Sequence, residues 1–544
     1  QRQMCIRDRH STIMKKLYIT IAFIVSLSLW GCSFTDFGDL NENPNNPTRV
    51  EPDFLFATAI KESMNLYGGA MNRVIFFNYT QQFSGFNGSW QRFNYSDSEN
   101  NTYWKAAYVL CMQPVNKIAE IFSDNPDYKN RVLIARIWKA YLISQTTAFY
   151  GPIPASQALK GTPDIAYDSE ATIYKYLFDE LKECADNLEK GGDQYSKTYD
   201  FIYGGDITKW RKFANSLRLR LALRIKNADE TQAATVAKEV LSDETNTICK
   251  EDESATSHWG TTSLTWSPLY DRVVFNEQAN LATLPVLCET MVYHTKPYND
   301  PRLTIYGQPA SQGPYKGEYF GQNISYGGSP TGFPTEENPH KGMSQKDYSA
   351  IGARFLKPDA EWVFISYAET ALLKAEAAYY GWGGHKTAEQ YYYEGIDASF
   401  AKYGLTEHVT TYKDTPGIKW GTASDTEGRE TEFQDFAHIC SSAISSGDYL
   451  RQIIMQHWLA IPMQCADAWE LLRRTQILEF QPMFSSYEGT TLYMPDRLLY
   501  PSDEYQANTT EVNKAAATLN GRDYLFTTLS WGLPAKKNPN LPNE

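Results

Sequence analysis

The feature that most restricts the fold is a series of apolar stripes with helical spacing. In the segment 132–150, apolar residues recur every three or four positions, which places them on one wide face of an α-helix. Segments 173–188 and 210–225 repeat the pattern. Because each stripe needs an apolar partner, we expect these helices to pack against one another. The sequence therefore predicts a mainly α fold.

Turn and capping residues mark the ends of these helices. Gly151-Pro152 stops the first, Asp168 is predicted to cap the second, and Asp206 is predicted to cap the third. Further helices are predicted at 53–67, 102–122, 230–242, 361–380, 387–403 and 448–473. Helices joined in pairs by short turns indicate degenerate helical-hairpin repeats, although no strict repeat length is visible.

The amino-acid composition of the chain changes between about residues 244 and 360. Gly, Pro, Ser, Asn and Tyr dominate there, and no long helical stripe is present. A structureless loop of this length is uncommon inside a compact domain. We therefore expect a loop-rich insert with short strands and turns inside one helical domain that spans residues 32–544.

The N-terminal region has the plan of an export signal. A basic start at Met14 is followed by an apolar run over 17–30 and then by Gly31-Cys32. The run is shorter than the roughly 20 residues that span a bilayer. This order predicts a bacterial lipoprotein signal, with Cys32 as the lipidated first residue of the mature chain. Residues 1–13 are interpreted as an upstream extension, and an ordinary signal peptide with a coincidental cysteine remains the alternative.

Charge and cysteine usage exclude several classes of protein. The formal charge of the whole chain is −13, and segment 1–31 is net basic, so the chain from Cys32 onward is more acidic still. Such a balance disfavours nucleic acid as a partner. Six cysteines lie beyond the leader without any CxxC pair, which predicts buried free thiols rather than disulfides or a zinc site.

We also find no catalytic motif. The eight histidines form no HExxH or HxxxH pair, and no GxSxG elbow or phosphate-binding loop is present. Glu369 and Glu376 are the carboxylates that a glycosidase hypothesis would choose, but a solvated or arginine-paired helix face explains them more simply. Trp469, Arg473 and Arg474 are likewise interpreted as scaffold residues, so the sequence predicts a protein without enzymatic activity, cofactor or metal.

Aromatic residues in loops are the best candidates for ligand contacts. Sugars and flexible peptides bind to flat aromatic faces, with polar side chains supplying hydrogen bonds. The alternative is that these residues pack the loops onto the helical body. The candidates are Trp90, Phe93 and Tyr95, the pair Trp266 and Tyr270, and the group Tyr315, Tyr319 and Tyr326.

Short stretches along most of the chain point to one family. They are NENPNNPT at 41–48, AFYGPIP at 148–154, KWRKFANSLRLR at 209–220, WELLRRT at 469–475 and PDRLLYP at 495–501, supported by 167–174 and 393–396. In this order, behind a lipoprotein signal, they resemble the SusD/RagB family of Bacteroidota outer-membrane lipoproteins, most closely its branch with a short N-terminal Asn-Pro segment.

The resemblance implies an αα-superhelix of TPR-like helix pairs with irregular inserts. It also implies a surface-exposed, lipid-anchored protein that binds an oligosaccharide or a peptide and delivers it to a SusC-like TonB-dependent transporter. An oligosaccharide is the favoured ligand. A peptide-binding member of the family, a surface glycoside hydrolase and a structural scaffold remain alternatives, and the sequence does not name the ligand.

Overall fold

The computed structural model describes residues 51–84, 96–160, 164–275, 284–322, 343–424, 443–478, 494–520 and 522–534. The described residues from Pro52 onward form one compact unit. Its first elements are α1 (Pro52–Ser63), α2 (Phe77–Thr80), β1 (Phe83–Ser84), α3 (Asp97–Lys105), α4 (Gln113–Phe122), α5 (Lys129–Tyr150), α6 (Glu170–Asn187), α7 (Ile207–Arg224), α8 (Glu230–Leu241) and β2 (Ala255–His258).

The elements that follow are β3 (Val286–Leu287), α9 (Glu289–Thr295), α10 (Leu303–Tyr306), β4 (Glu361–Ile365), α11 (Tyr367–Tyr379), α12 (Ala388–Lys402), α13 (Val409–Lys413), α14 (Tyr449–Ala460), α15 (Cys465–Thr475), α16 (Ser502–Ala507) and α17 (Thr509–Thr518). Short 3₁₀ turns lie at Pro126–Tyr128, Ile225–Asn227, Glu244–Asn246, Glu251–Glu253, Lys296–Tyr298, Gln345–Asp347, Ala353–Leu356 and Thr406–His408. Between 244 and 360 the described residues thus hold short elements only.

Three π-helical segments interrupt the α-helical pattern. Met64–Phe76 joins α1 to α2, Ala106–Met112 joins α3 to α4, and Tyr270–Phe275 lies in the loop-rich region. The predicted helices at 53–67 and 102–122 are therefore present but belong to longer helical stretches. π-Helical turns are rare and occur frequently at functional sites, and the first and third of them meet the candidate site described below.

Two of the predicted caps have different outcomes. Asp206 caps α7 as expected, because its carboxylate accepts hydrogen bonds from the backbone N–H groups of Thr208 and Lys209 at 2.9 and 3.1 Å. The prediction for Asp168 was wrong. Ser169 caps α6 instead, while the carboxylate of Asp168 accepts from the backbone N–H of Ser156 at 2.7 Å and holds the turn after α5.

Two predicted helices also differ from the structure. The segment 361–380 begins as a strand, because β4 pairs with β2 in an antiparallel ladder, and the helix starts only after Ser366. The segment 448–473 is divided into α14 and α15 by residues 461–464. Pro462 lies in this break, where it lacks the N–H that a continuous helix would need.

The core is built by successive helices and closed by β4. Helices α5 to α8 pack against one another in chain order, and α11 packs against α12 and α14. The indole of Trp138 on α5 is fully buried, with its ring 6.1 Å from Trp210 on α7 and 4.9 Å from Phe364 on β4. The mainly α fold predicted from the stripes is thus confirmed.

A buried ionic network lies between α7, α11 and α15. Arg220 donates to Glu369 at 2.7 Å, to Asp467 at 3.0 Å and to the carbonyl oxygen of Phe364 at 2.7 Å. Arg224 pairs with Glu470, and Arg474 forms a bidentate pair with Glu376. Buried charges are tolerated when they are paired and hydrogen-bonded, so this network joins three helices at fixed positions.

The cysteines largely match the prediction of buried free thiols. Cys111, Cys184, Cys288 and Cys465 are buried and unbridged. Burial raises the pKa of the Cys111 thiol to about 12 and that of Cys184 to about 12, which makes these thiols inert. Cys249 differs because it is partly exposed, and Cys440 lies outside the described residues.

Candidate ligand-binding site

An aromatic surface projects from the loop that follows β2. The Trp266 ring lies 5.1 Å from the ring of Tyr270 and 4.8 Å from that of Phe275, measured between centroids. Phe275 is 54% exposed and neighbouring Leu264 is 88% exposed. We call Leu264, Trp266, Tyr270 and Phe275 the platform. The structure thus brings two predicted ligand contacts, Trp266 and Tyr270, together on an accessible apolar surface.

The platform is held firmly against the π-helical segment Met64–Phe76. A Cβ atom on Gly69 would lie 2.7 Å from Pro268 Cγ, and one on Gly68 would lie 2.8 Å from Trp362 Cε3. Only glycine permits such a close approach. The backbone N–H of Ser267 also donates to the carbonyl of Pro358 at 2.7 Å. The loop is therefore positioned by packing at Pro268 and by a hydrogen bond at Ser267, directly after Trp266.

A second aromatic group is stacked and mostly buried. The Tyr315 ring lies 3.8 Å from the Phe320 ring at an interplanar angle of 10°, and Phe320 lies 5.9 Å from Tyr348 at 6°. Tyr319 packs partly buried against the main core, and this burial raises its pKa. Of the predicted contacts, Tyr315 in the stack and Tyr319 beside it are both partly exposed.

The other predicted aromatic residues cannot be placed in the site. Trp90, Phe93 and Tyr95 lie outside the described residues, and so does Tyr326. Ser84, the last described residue before 85–95, pairs with Val286. Val286 packs with Phe320 and Tyr348, so Ser84 lies near the second aromatic group.

A polar pocket, which was not predicted from the sequence, adjoins the platform. It is partly open to solvent, and the space between its lining residues, open solvent included, is about 450 Å³. The 3₁₀ turn Ala353–Leu356, which supplies Arg354 to the pocket, packs beside the segment Tyr270–Phe275. The pocket also receives side chains from β4, α12 and the break between α14 and α15; those with polar groups include Glu361, Ser366, Lys402, Tyr403 and Gln464.

The pocket combines charges, an amide and an aromatic face. Lys402 Nζ lies 3.0 Å from Glu361 Oε2, and the guanidinium of Arg354 lies 5.3 Å from the Tyr403 ring centroid. The side chain of Lys402 is 7% exposed, and its ammonium has no hydrogen-bond acceptor of good geometry among the described residues. Because the lining residues come from distant parts of the chain, no local pattern in the sequence could have revealed them.

The carboxylates considered for catalysis are engaged elsewhere. Glu369 is bonded to Arg220 and to Gln464, and Glu376 is bonded to Arg474; both are buried. Burial raises the pKa of Glu369 to about 7. The arginine-paired interpretation of these residues is confirmed, and the solvated one was wrong. No group of three metal-ligating side chains occurs in the described part of the chain.

Comparison with known proteins identifies the family. Residues 44–501 match a SusD-like family described as starch-binding and associating with the outer membrane. The chain belongs to the SusD-like family. No curated protein sequence matches the chain. Within the described ranges, no helix is long and apolar enough to cross a membrane.

Solved structures of SusD homologues share the fold. A chitin-binding SusD homologue from Flavobacterium johnsoniae is 24% identical, with a TM-score of 0.70 over 90% of this chain and 98% of its own. A SusD homologue from Bacteroides uniformis is 25% identical, with a TM-score of 0.69 over 89% and 98%. A protein described as chitin-binding is 23% identical, with a TM-score of 0.70 over 89% and 100%. The expected αα fold with TPR-like helix pairs is thereby confirmed.

Proposed function

We propose that this SusD-like protein binds an oligosaccharide on the platform and in the adjoining pocket. The observation that carries the proposal is the partly exposed ring of Trp266, which contacts Tyr270 and Phe275 in a segment that packs beside a turn lining a pocket of polar groups. Flat aromatic faces with convergent hydrogen-bonding groups suit a polyhydroxylated ligand. Two similar structures are of chitin-binding proteins, which favours a carbohydrate over the alternative peptide ligand.

We further propose that the protein delivers this ligand and does not hydrolyse it. The family description places its members with the outer membrane. A lipid on Cys32 would anchor the chain there, facing the cell exterior, beside a SusC-like TonB-dependent transporter that receives the ligand. The carboxylates of Glu369 and Glu376 are paired with buried arginines, which supports the absence of hydrolase activity. A surface glycoside hydrolase remains the alternative, and product release from the oligosaccharides would reveal it.

Changing Trp266→Ala should weaken oligosaccharide binding without unfolding the protein. Aromatic stacking contributes about 1–3 kcal/mol per contact to a nucleobase, and we place a sugar at or below the low end. Because about 1.4 kcal/mol corresponds to tenfold, affinity should fall several-fold to about tenfold. The fold should persist because the indole N–H of Trp266 bonds only within its own loop, to the Thr261 carbonyl at 3.0 Å.

Isothermal titration with chitin and starch oligosaccharides would measure this loss, with melting temperature recorded in parallel. Tyr176→Ala is the matched control, because Tyr176 is an exposed aromatic residue on α6. A Trp266→Ala protein that binds every tested oligosaccharide as the wild type does would rule out the platform as the site. Trp90→Ala and Tyr315→Ala extend the test to the other predicted contacts.

Changing Cys32→Ala should release the protein from the membrane. The expectation rests on Gly31-Cys32 directly after the apolar run 17–30, because lipid on the cysteine would supply the anchor. Fractionation of cells that express the variant should move the protein from the outer-membrane fraction to the soluble fraction. Ser33→Ala is the control and should remain membrane-bound. A Cys32→Ala protein that still sediments with the outer membrane would contradict a lipid anchor at this residue.

A further inference from the structure

We propose that Lys374 and Cys249 form a covalent, oxygen-bridged cross-link, Nζ–O–Sγ, when the protein meets an oxidant. Lys374 lies in the middle of α11, and Cys249 lies in the segment between α8 and β2. Their side chains meet directly, with Lys374 Nζ 3.6 Å from Cys249 Sγ. This pair takes no part in the candidate ligand-binding site, and its chemistry is independent of the ligand.

The setting of Lys374 is unusual for a lysine. The residue is 2% exposed, and among the described residues its amine contacts no carboxylate within ion-pair distance. The thiol of Cys249 is its one hydrogen-bond partner in that part of the chain. A buried ammonium without a carboxylate is costly. The site therefore favours any chemistry that removes the positive charge of Lys374.

The setting of Cys249 makes its sulfur available to that amine. The thiol can donate to the carbonyl of Glu244 at 3.1 Å or to that of Thr247 at 3.2 Å. Either bond directs the proton away from Lys374 and leaves sulfur lone pairs toward the amine. Cys249 is partly exposed, whereas the other four described cysteines are buried. A small oxidant can therefore reach this sulfur before it reaches the others.

Dioxygen suffices as the oxidant. After the ammonium has lost a proton to solvent, the thiol, the neutral amine and one O₂ yield S–O–NH and one water. One oxygen atom remains in the bridge, and the other leaves as water with the thiol hydrogen and one amine hydrogen. Sulfur and nitrogen each lose two electrons, and O₂ accepts the four. Two molecules of a dithiol reductant supply the four electrons and four protons that restore the thiol and the amine, and the bridging oxygen then leaves as water while each dithiol becomes a disulfide.

The bridge would have a structural consequence for the loop-rich region. It would close a covalent loop from residue 249 to residue 374, which contains the platform and the Tyr315 stack. Such closure restricts the unfolded chain. It would also replace a buried cation by a neutral group. Both effects should stabilise the oxidised protein, so the melting temperature should rise on oxidation.

Mass spectrometry of the purified full-length mature protein tests the proposal. Air-equilibrated protein, and protein treated with hydrogen peroxide, should gain the mass of one oxygen atom less two hydrogen atoms. Proteolysis should yield one linked peptide that contains residues 249 and 374. Dithiothreitol under anaerobic conditions should remove the link and lower the melting temperature to that of protein kept reduced throughout.

The variants assign the link to these two side chains. Cys249→Ser preserves the volume of the side chain and should abolish both the linked peptide and the effect of oxidation on melting, as should Lys374→Arg. Cys184→Ser is the matched control, because Cys184 is a buried thiol, and it should retain the link. Oxidised wild-type protein without a linked peptide would overturn the proposal. So would a direct S–N link that lacks oxygen, or Cys249 found only as sulfinic or sulfonic acid.

Discussion

Replacing Arg220 with methionine should lower the free energy of unfolding by about 3–5 kcal/mol, the cost of breaking a buried ion pair from one side. The side chain of Arg220 is 3% exposed and bonds Glu369, Asp467 and the Phe364 carbonyl. Methionine fills much of the same volume but donates no hydrogen bond. Two buried carboxylates would then lose the cation that bonds both of them, which favours their protonated forms in the folded state.

The loss of unfolding free energy should depend on pH, and the direction of this dependence follows from the raised pKa values of the two carboxyl groups. Burial raises the pKa of Glu369 from 4.5 to about 7 and also raises that of Asp467, although Arg220 opposes both shifts. Without Arg220 both pKa values should rise further. In the wild type the folded state binds more protons at Glu369 than the unfolded state only up to about pH 7. In the variant this excess extends to a higher pH, so its stability continues to fall as pH rises above 7. The loss of unfolding free energy in Arg220→Met should therefore be larger at pH 8 than at pH 5.

Urea unfolding followed by circular dichroism at the two pH values would measure this difference. Arg211→Met is the control on the same helix. Arg211 donates only to the carbonyls of Ala185 and Leu188, so its loss leaves no unpaired carboxylate and should cost less, without the same pH dependence. If Arg220→Met cost no more than Arg211→Met at pH 8, the network would not hold α7, α11 and α15 together.

The helix α6 was predicted from its apolar spacing, and it buries one face at that spacing. The helices α5 and α7 were also predicted from their apolar stripes, but α5 is buried on nearly all sides over 132–150, and α7 is buried on all sides over 216–224. Local spacing was thus sufficient to place the three helices, but not to show how deeply two of them are buried. The strand β4 was missed because its partner β2 lies about 100 residues earlier. Strand pairing over that distance is set by tertiary contacts, which local propensity does not encode.

The error at Asp168 has a different physical origin. Asp and Ser are both strong N-cap residues, and the two stand side by side at 168 and 169. Ser169 caps the helix because Asp168 is held by a different contact, its bonds to the backbone N–H of Ala155 and Ser156. That contact forms only once the chain has turned after α5, so it could not be predicted from the local sequence.

In the candidate site, too, residues close together in the sequence were predicted, and residues from separate segments were missed. Trp266 and Tyr270 were predicted together because they are neighbours in one loop, and the structure brings their rings into contact. The polar pocket was missed because Arg354, Lys402 and Gln464 converge from three separate segments. Lys402 in particular is the last residue of α12, where a lysine is ordinarily explained by the helix dipole.

The second large effect is expected at Trp469, which the sequence analysis interpreted as a scaffold residue. Its indole is fully buried on α15. The ring lies 5.4 Å from Phe76 and 5.2 Å from Tyr79, and the indole N–H donates to the Pro495 carbonyl at 2.9 Å. The Arg473 guanidinium packs over the same ring at 3.5 Å. Trp469→Ala should therefore cost about 3–5 kcal/mol of stability, as large-to-small core changes do.

A comparison of Trp469→Ala with Trp266→Ala distinguishes the scaffold from the site. Trp469→Ala should lower the urea midpoint strongly while the molecules that remain folded bind oligosaccharide as the wild type does. Trp266→Ala should leave the urea midpoint near that of the wild type and should weaken oligosaccharide binding. Its ring is partly exposed and contacts mainly its own loop. If both variants lost the same affinity per folded molecule, Trp469 would belong to the ligand-binding site. An unchanged urea midpoint for Trp469→Ala would mean that the packing between α15 and the segment Met64–Phe76 does not stabilise the fold.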